Sequence, residues 1–184
     1  PNVANIPQQL QMFGSVGWLF AVVDRIATGT ALVQWHLHQR RRDEREEVAD
    51  HELLRLWRRP TPFYTQVELV ETGMQHYSLV GEMWWVKIRN LSGKVVELWP
   101  VRPDRMTPVA DRQEFVAGYV YRMGAETVPL RREDVIFIRR PSPLDPYRGC
   151  GPVQSLLMDL DSERFSAQWN RNFFIRGAEP GGVI

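Results

Sequence analysis

Residues 141–184 read PSPLDPYRGCGPVQSLLMDLDSERFSAQWNRNFFIRGAEPGGVI, from Pro141 to Ile184. Pro141, Pro143 and Pro146 keep the entry non-helical, because the residue before a proline is pushed into extended conformations. Gly151 and Pro152 then mark a start, since proline at the first helical position lacks only an N–H that would be orphaned there anyway. Gly177 can take the left-handed conformation that closes a helix. Between these marks lie about 25 residues, roughly 37 Å at 1.5 Å per residue, which is long for a chain of 184 residues.

The apolar pattern of this helix changes along its length. At 100° per residue, Val153, Leu156, Leu157 and Leu160 share one face, whereas Met158, Phe165, Trp169 and Phe173 form a stripe about half a turn away. Beyond Leu160 the first face is continued by Arg164 and Arg171, then by Ile175. A helix that packs on its own domain at one end and on something else at the other has this pattern. Met158, Phe165, Trp169 and Phe173 are therefore candidates for contact with a second subunit.

Upstream of this stretch the period switches to two. From Gly81, Trp84, Val86 and Ile88 alternate with Met83, Trp85, Lys87 and Arg89, and the turn Asn90–Lys94 leads into Val95–Trp99. Short strands are predicted around 106–109, 115–122 and 135–139, separated by Pro, Gly and Asp clusters. The expected fold class is α+β: helices flanking an antiparallel β-meander, followed by one long helix.

Nearer the start, residues 2–13 read as a polar lead-in. Ser15 is a plausible N-cap for a helix carrying Val16, Leu19, Phe20, Val23 and Ile26, with Gly29 as its stop. The alternation of Ala31, Val33, Trp35 and Leu37 against Gln34, His36 and His38 predicts a half-buried strand over 30–38. The mixed-sign run QRRRDEREE, 39–47, reads as a solvated linker or surface helix start. A short helix is expected over 48–57, ended by Arg59-Pro60. Thr61-Pro62 reads as the cap and first residue of the next helix, with Phe63, Val67, Val70, Met74 and Tyr77 on one core-facing stripe.

Composition sets the outer limits. A chain of 184 residues, 43% hydrophobic with seven Trp, can bury a real core. The formal charge of +1 makes no global case for nucleic acid, so a DNA contact would have to be local or geometric. Cys150, the single cysteine, cannot form an intrachain disulfide and is compatible with a reducing, intracellular origin. It reads as a small residue packed between two glycines. The uncharged run from Ile6 to Val23 contains three glutamines and two glycines, too polar for a membrane span, and no signal-peptide pattern precedes it. The opening proline and the stop within Gly181-Gly182-Val183-Ile184 read as a fragment of something longer.

Familiar catalytic motifs are missing: no G-x-x-x-x-G-K-[ST], no G-x-G-x-x-G after a strand, no G-x-S-x-G and no H-E-x-x-H. His36 and His38 have metal-ligand spacing and His51 could approach them, but a zinc site needs three or four convergent ligands, and solvated histidines are the better reading. Asp159, Asp161 and Glu163 resemble two-metal nuclease carboxylates. On a helix, however, Asp161 lies about 160° from both neighbours, so at most Asp159 and Glu163 converge, and an exposed charged face is the better reading. Arg148, Arg164, Arg171 and Arg176 could touch phosphate, while nearby acids make salt bridges at least as good an account. No cofactor and no metal is expected.

The run 132–184, REDVIFIRRPSPLDPYRGCGPVQSLLMDLDSERFSAQWNRNFFIRGAEPGGVI, resembles the signature region of the portal proteins of tailed bacteriophages, of the long-tailed type. The matching positions are Asp134-Val135-Ile136, Gly149-Cys150-Gly151-Pro152, Phe173-Phe174 and Gly177-Ala178-Glu179-Pro180-Gly181-Gly182-Val183. His51-Glu52-Leu53-Leu54 with Arg59-Pro60 resembles the family's short helix and proline turn, and Gly81-Glu82-Met83-Trp84 through Leu98-Trp99-Pro100 its hairpin. Glu82 stands where the family usually has Asn, and Cys150 where it has Ser or Leu. The similarity spans about 16–184, with its C-terminal third the specific part.

The resemblance implies a non-enzymatic structural subunit of a ring, typically a dodecamer, at one capsid vertex of a virion assembled in the host cytoplasm. Such a ring is the channel for double-stranded DNA in packaging and ejection. It also meets the terminase large subunit, head-tail adaptors and the major capsid protein. The chain then divides into a lead-in at 1–15, a wing-like α+β domain at 16–140, a loop and stem-like helix at 141–177, and the start of a truncated clip-like segment at 178–184. Two other readings compete: a metal-dependent DNA-processing enzyme using Asp159 and Glu163, and a monomeric adaptor or binding domain.

Overall fold

The computed structural model describes residues 5–41 and 44–175. Five helices and eight strands follow in order: α1 (Ile6–Phe13), α2 (Gly17–Ala31), β1 (His38–Arg41), β2 (Glu44–Glu47), α3 (Glu52–Arg58), α4 (Gln66–Val80), β3 (Glu82–Arg89), β4 (Val95–Val101), β5 (Met106–Asp111), β6 (Phe115–Met123), β7 (Glu126–Arg131), β8 (Val135–Arg139) and α5 (Pro152–Ile175). Short 3₁₀ turns at Pro103–Arg105 and Arg132–Asp134 lead into β5 and β8. The fold is α+β, with antiparallel sheets flanked by helices and a long C-terminal helix.

The strand β3 organises the packing. It is paired on both edges, in the order β4-β3-β8, and its alternating side chains serve two cores. Met83 and Trp85 pack with Leu69, Val70 and Leu98 on the helical side. Trp84 and Val86 face Met106, Tyr119 and Val135 toward the second sheet, β5-β6-β7. A Cβ added to Gly73 of α4 would come within 2.9 Å of the Met83 sulfur, so the helix lies close on the strand. A third core joins α1, α2, the end of α4 and the start of α5 through Ile6, Met12, Leu19, Leu79, Val80, Val153 and Leu160.

The single expected meander is therefore two three-stranded sheets, because β8 returns to the free edge of β3 instead of extending β7. The strand β7 is an addition to the strands that residue patterning predicts.

The N-terminal third departs furthest from expectation. Residues of the lead-in form α1, where the Asn5 side chain accepts from the Gln8 N–H. Ser15 is not the cap of α2: Val16 holds that position without a side-chain bond, and the Ser15 hydroxyl donates back to the Gln11 carbonyl at 2.9 Å. Gly29 does not stop α2, which runs on to Ala31. The strand expected over 30–38 is absent: helix fills its start, an irregular segment follows, and β1 begins at His38. Alternation alone makes no strand without a ladder partner. Trp35 instead stands 54% exposed with its ring edge-on to Trp57 at 5.2 Å.

The charged run forms the exposed hairpin β1–β2, with His38 opposite Glu47. Thr61 caps a turn, accepting from the Phe63 and Tyr64 N–H groups, and the helix start falls to Thr65, which forms a capping box with Glu68. Phe63 consequently lies outside α4 and is exposed, and Val67, also expected on the core-facing stripe, is exposed on the first turn, whereas Val70, Met74 and Tyr77 pack on the core. No single helix among the described residues is long and apolar enough to cross a membrane. The pair α1 and α2 passes that test together but is bent by 92°.

Candidate functional site

The long helix α5 and the way it is held to the body form the candidate site. Its base is set by glycines. Gly81 ends α4 in the left-handed conformation, φ +77°, and a Cβ there would meet the Cys150 carbonyl carbon at 2.6 Å. A Cβ on Gly149 would overlap the Gly81 carbonyl oxygen, and one on Gly151 the Leu79 carbonyl oxygen. The Gly-Cys-Gly run is thus pressed directly onto the junction of α4 and β3. Pro152 then opens the helix, and Val153 and Leu160, each 1% exposed, plug into the helical core. Burying such a side chain stabilises by about 1.5–3 kcal/mol.

A buried polar node locks the loop that precedes α5. Glu82, 0% exposed, sits at the head of β3. One of its carboxylate oxygens accepts from the Gly149 N–H at 2.7 Å and pairs with Arg148 Nε at 2.9 Å, and the other accepts from the Trp84 indole at 2.9 Å. Arg148 also donates to the carbonyls of Met106 at 2.6 Å and Pro103 at 3.2 Å, with its guanidinium 6.0 Å from the centre of the Trp84 ring. Burial pushes the Glu82 carboxyl above its usual range, while Arg148, the Gly149 N–H and the Trp84 indole pull the other way. Just before this node, Tyr147 stacks on Phe115 at 4.5 Å. Phe115 holds φ +66°, so the tip of the β5–β6 hairpin adopts a conformation uncommon outside glycine while supporting the loop.

Further along, α5 meets the N-terminal helices through carboxylates. Gln8 donates to Asp161 at 2.9 Å, and the Trp18 indole donates to Glu163 at 2.6 Å. Arg164 pairs with Asp161 at 3.1 Å. Two of the three carboxylates with nuclease-like spacing are thus committed to α1 and α2, and Asp159 is exposed. Asp159 and Glu163 are exposed as expected of a charged face, and Asp161 is half-buried against α1. Sequence offers little signal for these contacts, since Gln8 and Trp18 lie far from them in the chain. Glu82 was legible in principle: a carboxylate opening a strand buried on both faces needs a cation.

Past Asp161 the helix stands away from the body. Trp169 (66% exposed) is open there, as are Phe165, Phe174 and Ile175, and Trp169 stacks on Phe173 at 5.4 Å; Met158, before Asp161 on the same stripe, is already 83% exposed. Arg171 is exposed on the far side of the helix from this stripe, while Arg148 is buried in its ion pair. Arg176, the Gly177 stop and the segment 178–184 lie outside the described residues. His36 and His38 lie close, with ring centres 6.4 Å apart, but His36 pairs with Glu47 at 2.6 Å and His51 caps α3 by accepting from the Leu53 N–H. Among the described residues no group of three or more His, Cys, Asp or Glu is placed to hold a metal ion. Cys150 is a partly buried free thiol, 3.6 Å from the Gln154 side chain.

A family model described as phage portal protein matches residues 18–184. The chain belongs to the phage portal protein family. Among solved structures, this portal-family chain superposes on a chain from the neck of an empty GTA particle computed with C6 symmetry. The TM-score is 0.85 with 24% identity, over 100% of this chain and 49% of the other. It matches a chain from the virion of a native gene transfer agent particle at TM-score 0.82 and 23% identity, over 100% and 48%. A chain from the neck of a native GTA particle computed with C12 symmetry gives 0.77 and 23%, over 96% and 47%. The portal-family chain thus spans about half the length of these solved chains, and at this identity the likeness shows a shared fold. No curated protein sequence matches.

Proposed function

We propose that the protein is a non-enzymatic subunit of a portal ring at one capsid vertex of a virion, forming the channel through which double-stranded DNA is packaged and ejected. Membership of the phage portal protein family supports this reading, and so does the likeness to chains of neck and virion particles. The observation that carries it is the projecting half of α5. Phe165, Trp169 and Phe173 form an aromatic stripe on a helix that has left its own core, and an apolar stripe of this kind marks a surface that another chain covers.

In a cyclic ring the contacts are heterologous, so each subunit presents two different faces to its two neighbours. Met158, Phe165, Trp169 and Phe173 are the residues assigned to that contact. Arg171 lies on the opposite side of the helix, where either a salt bridge to a neighbour or a DNA phosphate would suit it, whereas Arg164 is paired with Asp161 and lies over the Phe165 ring. The terminase large subunit, head-tail adaptor and major capsid protein are the partners the reading implies.

Negative-stain imaging of the full-length protein tests it. A ring with a central hole is expected, and a monomer at high concentration would sink the reading.

A further inference from the structure

The helix α5 is attached in two ways that differ in kind. At its base, backbone is pressed on backbone around Gly81, Gly149 and Gly151, and the Glu82–Arg148 pair closes over the junction. Farther out, beyond the buried Leu160, the attachment passes to side-chain hydrogen bonds from α1 and α2: Gln8 to Asp161 and the Trp18 indole to Glu163. The first attachment tolerates almost no displacement. The second can open by rotating a few exposed or half-exposed side chains.

The seat of α1 carries an independent sign of weakness. Gln9, in the middle of this eight-residue helix, is 0% exposed, yet among the described residues neither its amide nitrogen nor its amide oxygen finds a hydrogen-bond partner. Docking α1 therefore buries an uncompensated amide, which opposes the apolar gain from Ile6 and Met12. The turn Gly14-Ser15-Val16 bends the chain by 92° between α1 and α2, and α1 packs against the start of α5 through Ile6 and Met12.

We propose that α1 and α2 form a releasable strap on α5: Gln8 and Trp18 hold Asp161 and Glu163, and opening the strap frees the part of α5 beyond Leu160, its last buried anchor, to change its angle relative to the body. The strap works within one chain and does not depend on the ring. Its opening re-aims the aromatic stripe of α5 without unfolding the sheets.

Hydrogen exchange and spin-label distances in the full-length protein test this. Cys150→Ser removes the native thiol, and labels at Leu91→Cys on the exposed β3–β4 turn and Ser166→Cys on α5 report the helix angle. In the unsubstituted strap, amides of 6–13 are expected to exchange at least about tenfold faster than those of 82–89, as sub-global opening requires. Trp18→Phe with Asp161→Ala should speed exchange over 6–13 by a further tenfold or so and broaden the 91–166 distance distribution, leaving 82–89 unchanged. Gln9→Leu removes the orphaned amide and should slow exchange over 6–13 several-fold and narrow the distribution.

Equal exchange of 6–13 and 82–89 in the starting protein, or a distance distribution indifferent to Trp18→Phe with Asp161→Ala, overturns the strap. If that double variant loses protection throughout, Gln9→Leu decides: unchanged or faster exchange over 6–13 also overturns it.

Discussion

From Pro152 to Leu160, α5 lies among α1, α2 and α4 and contributes Val153 and Leu160 to their shared core, whereas from Asp161 to Ile175 it is tied to the body by hydrogen bonds at Asp161 and Glu163. Both halves belong to one unbroken helix, and both carry large apolar side chains. They differ in what those side chains meet. In the first half Val153 and Leu160 fall on the face that the Gly149–Gly151 base turns toward the core, and Met158 alone starts the other stripe. In the second half Phe165, Trp169 and Phe173 fall on the opposite face. Helix periodicity converts a shift of a few sequence positions into a change of partner, so one helix can serve a fold at one end and an assembly at the other.

The largest expected effect breaks the anchored end. Glu82→Ala or Arg148→Ala leaves a buried charge without its partner, and urea unfolding should show a loss of about 3–5 kcal/mol. Replacing both at once, Glu82→Leu with Arg148→Met, should cost clearly less than the sum of the single changes. Simple additivity would mean that the two groups do not act as a pair.

Leu160→Ala, at the last apolar anchor, should cost about 2–5 kcal/mol by the same assay. A value near zero would move the boundary between the two halves toward the base.

Acid sensitivity should belong to the anchored region. Burial holds the His76 ring of α4 neutral down to about 4, against an ordinary 6.5 for imidazole, with Arg102 adding to the effect. Between those values the unfolded chain takes up a proton that the folded one refuses. The contribution is therefore full above about pH 6.5 and lost as pH falls toward 4, at most about 3 kcal/mol. Unfolding at pH 7 and pH 4 should show this loss, and His76→Leu should flatten it. The raised Glu82 carboxyl acts with the opposite sign, its share being full below the ordinary carboxylate range and lost as pH rises through the raised value.

The smallest effect on chain stability is expected in the projecting half. Trp169→Ala and Phe173→Ala should each change unfolding of the single chain by less than about 0.5 kcal/mol, while lowering the yield of rings seen by mass measurement. A large stability loss without any effect on assembly would reverse the assignment of this stripe.

How much was legible followed from how local each signal is. Pro152 as a helix start, the alternation of Met83 through Ile88 and the two faces of α5 are written in neighbouring residues, and the structure has them where the sequence put them. Residues 30–38 show the limit of the same method. Their alternation matched a strand in period, but a strand exists through its partner: only Leu37, beside β1, accepts from the Val48 N–H at 2.8 Å, and among the described residues no strand pairs with 32–36. Thr61 and Thr65 were separated by a hydrogen bond: both precede plausible helix starts, and the reciprocal bond with Glu68 selects Thr65.

By itself the sequence determined the α+β class, the start of α5, the change of apolar face along it and, through the resemblance of 132–184, the portal family. These rest on periods of two and 3.6 residues and on motifs that neighbouring residues carry whole. Only the tertiary structure decided that β8 returns to β3, that Glu82 finds Arg148, and that Gln8 and Trp18 reach Asp161 and Glu163. Each of those joins residues distant in the chain, and their meeting is set by the packing of whole elements: a buried charge must find its counterpart wherever the fold brings one within reach.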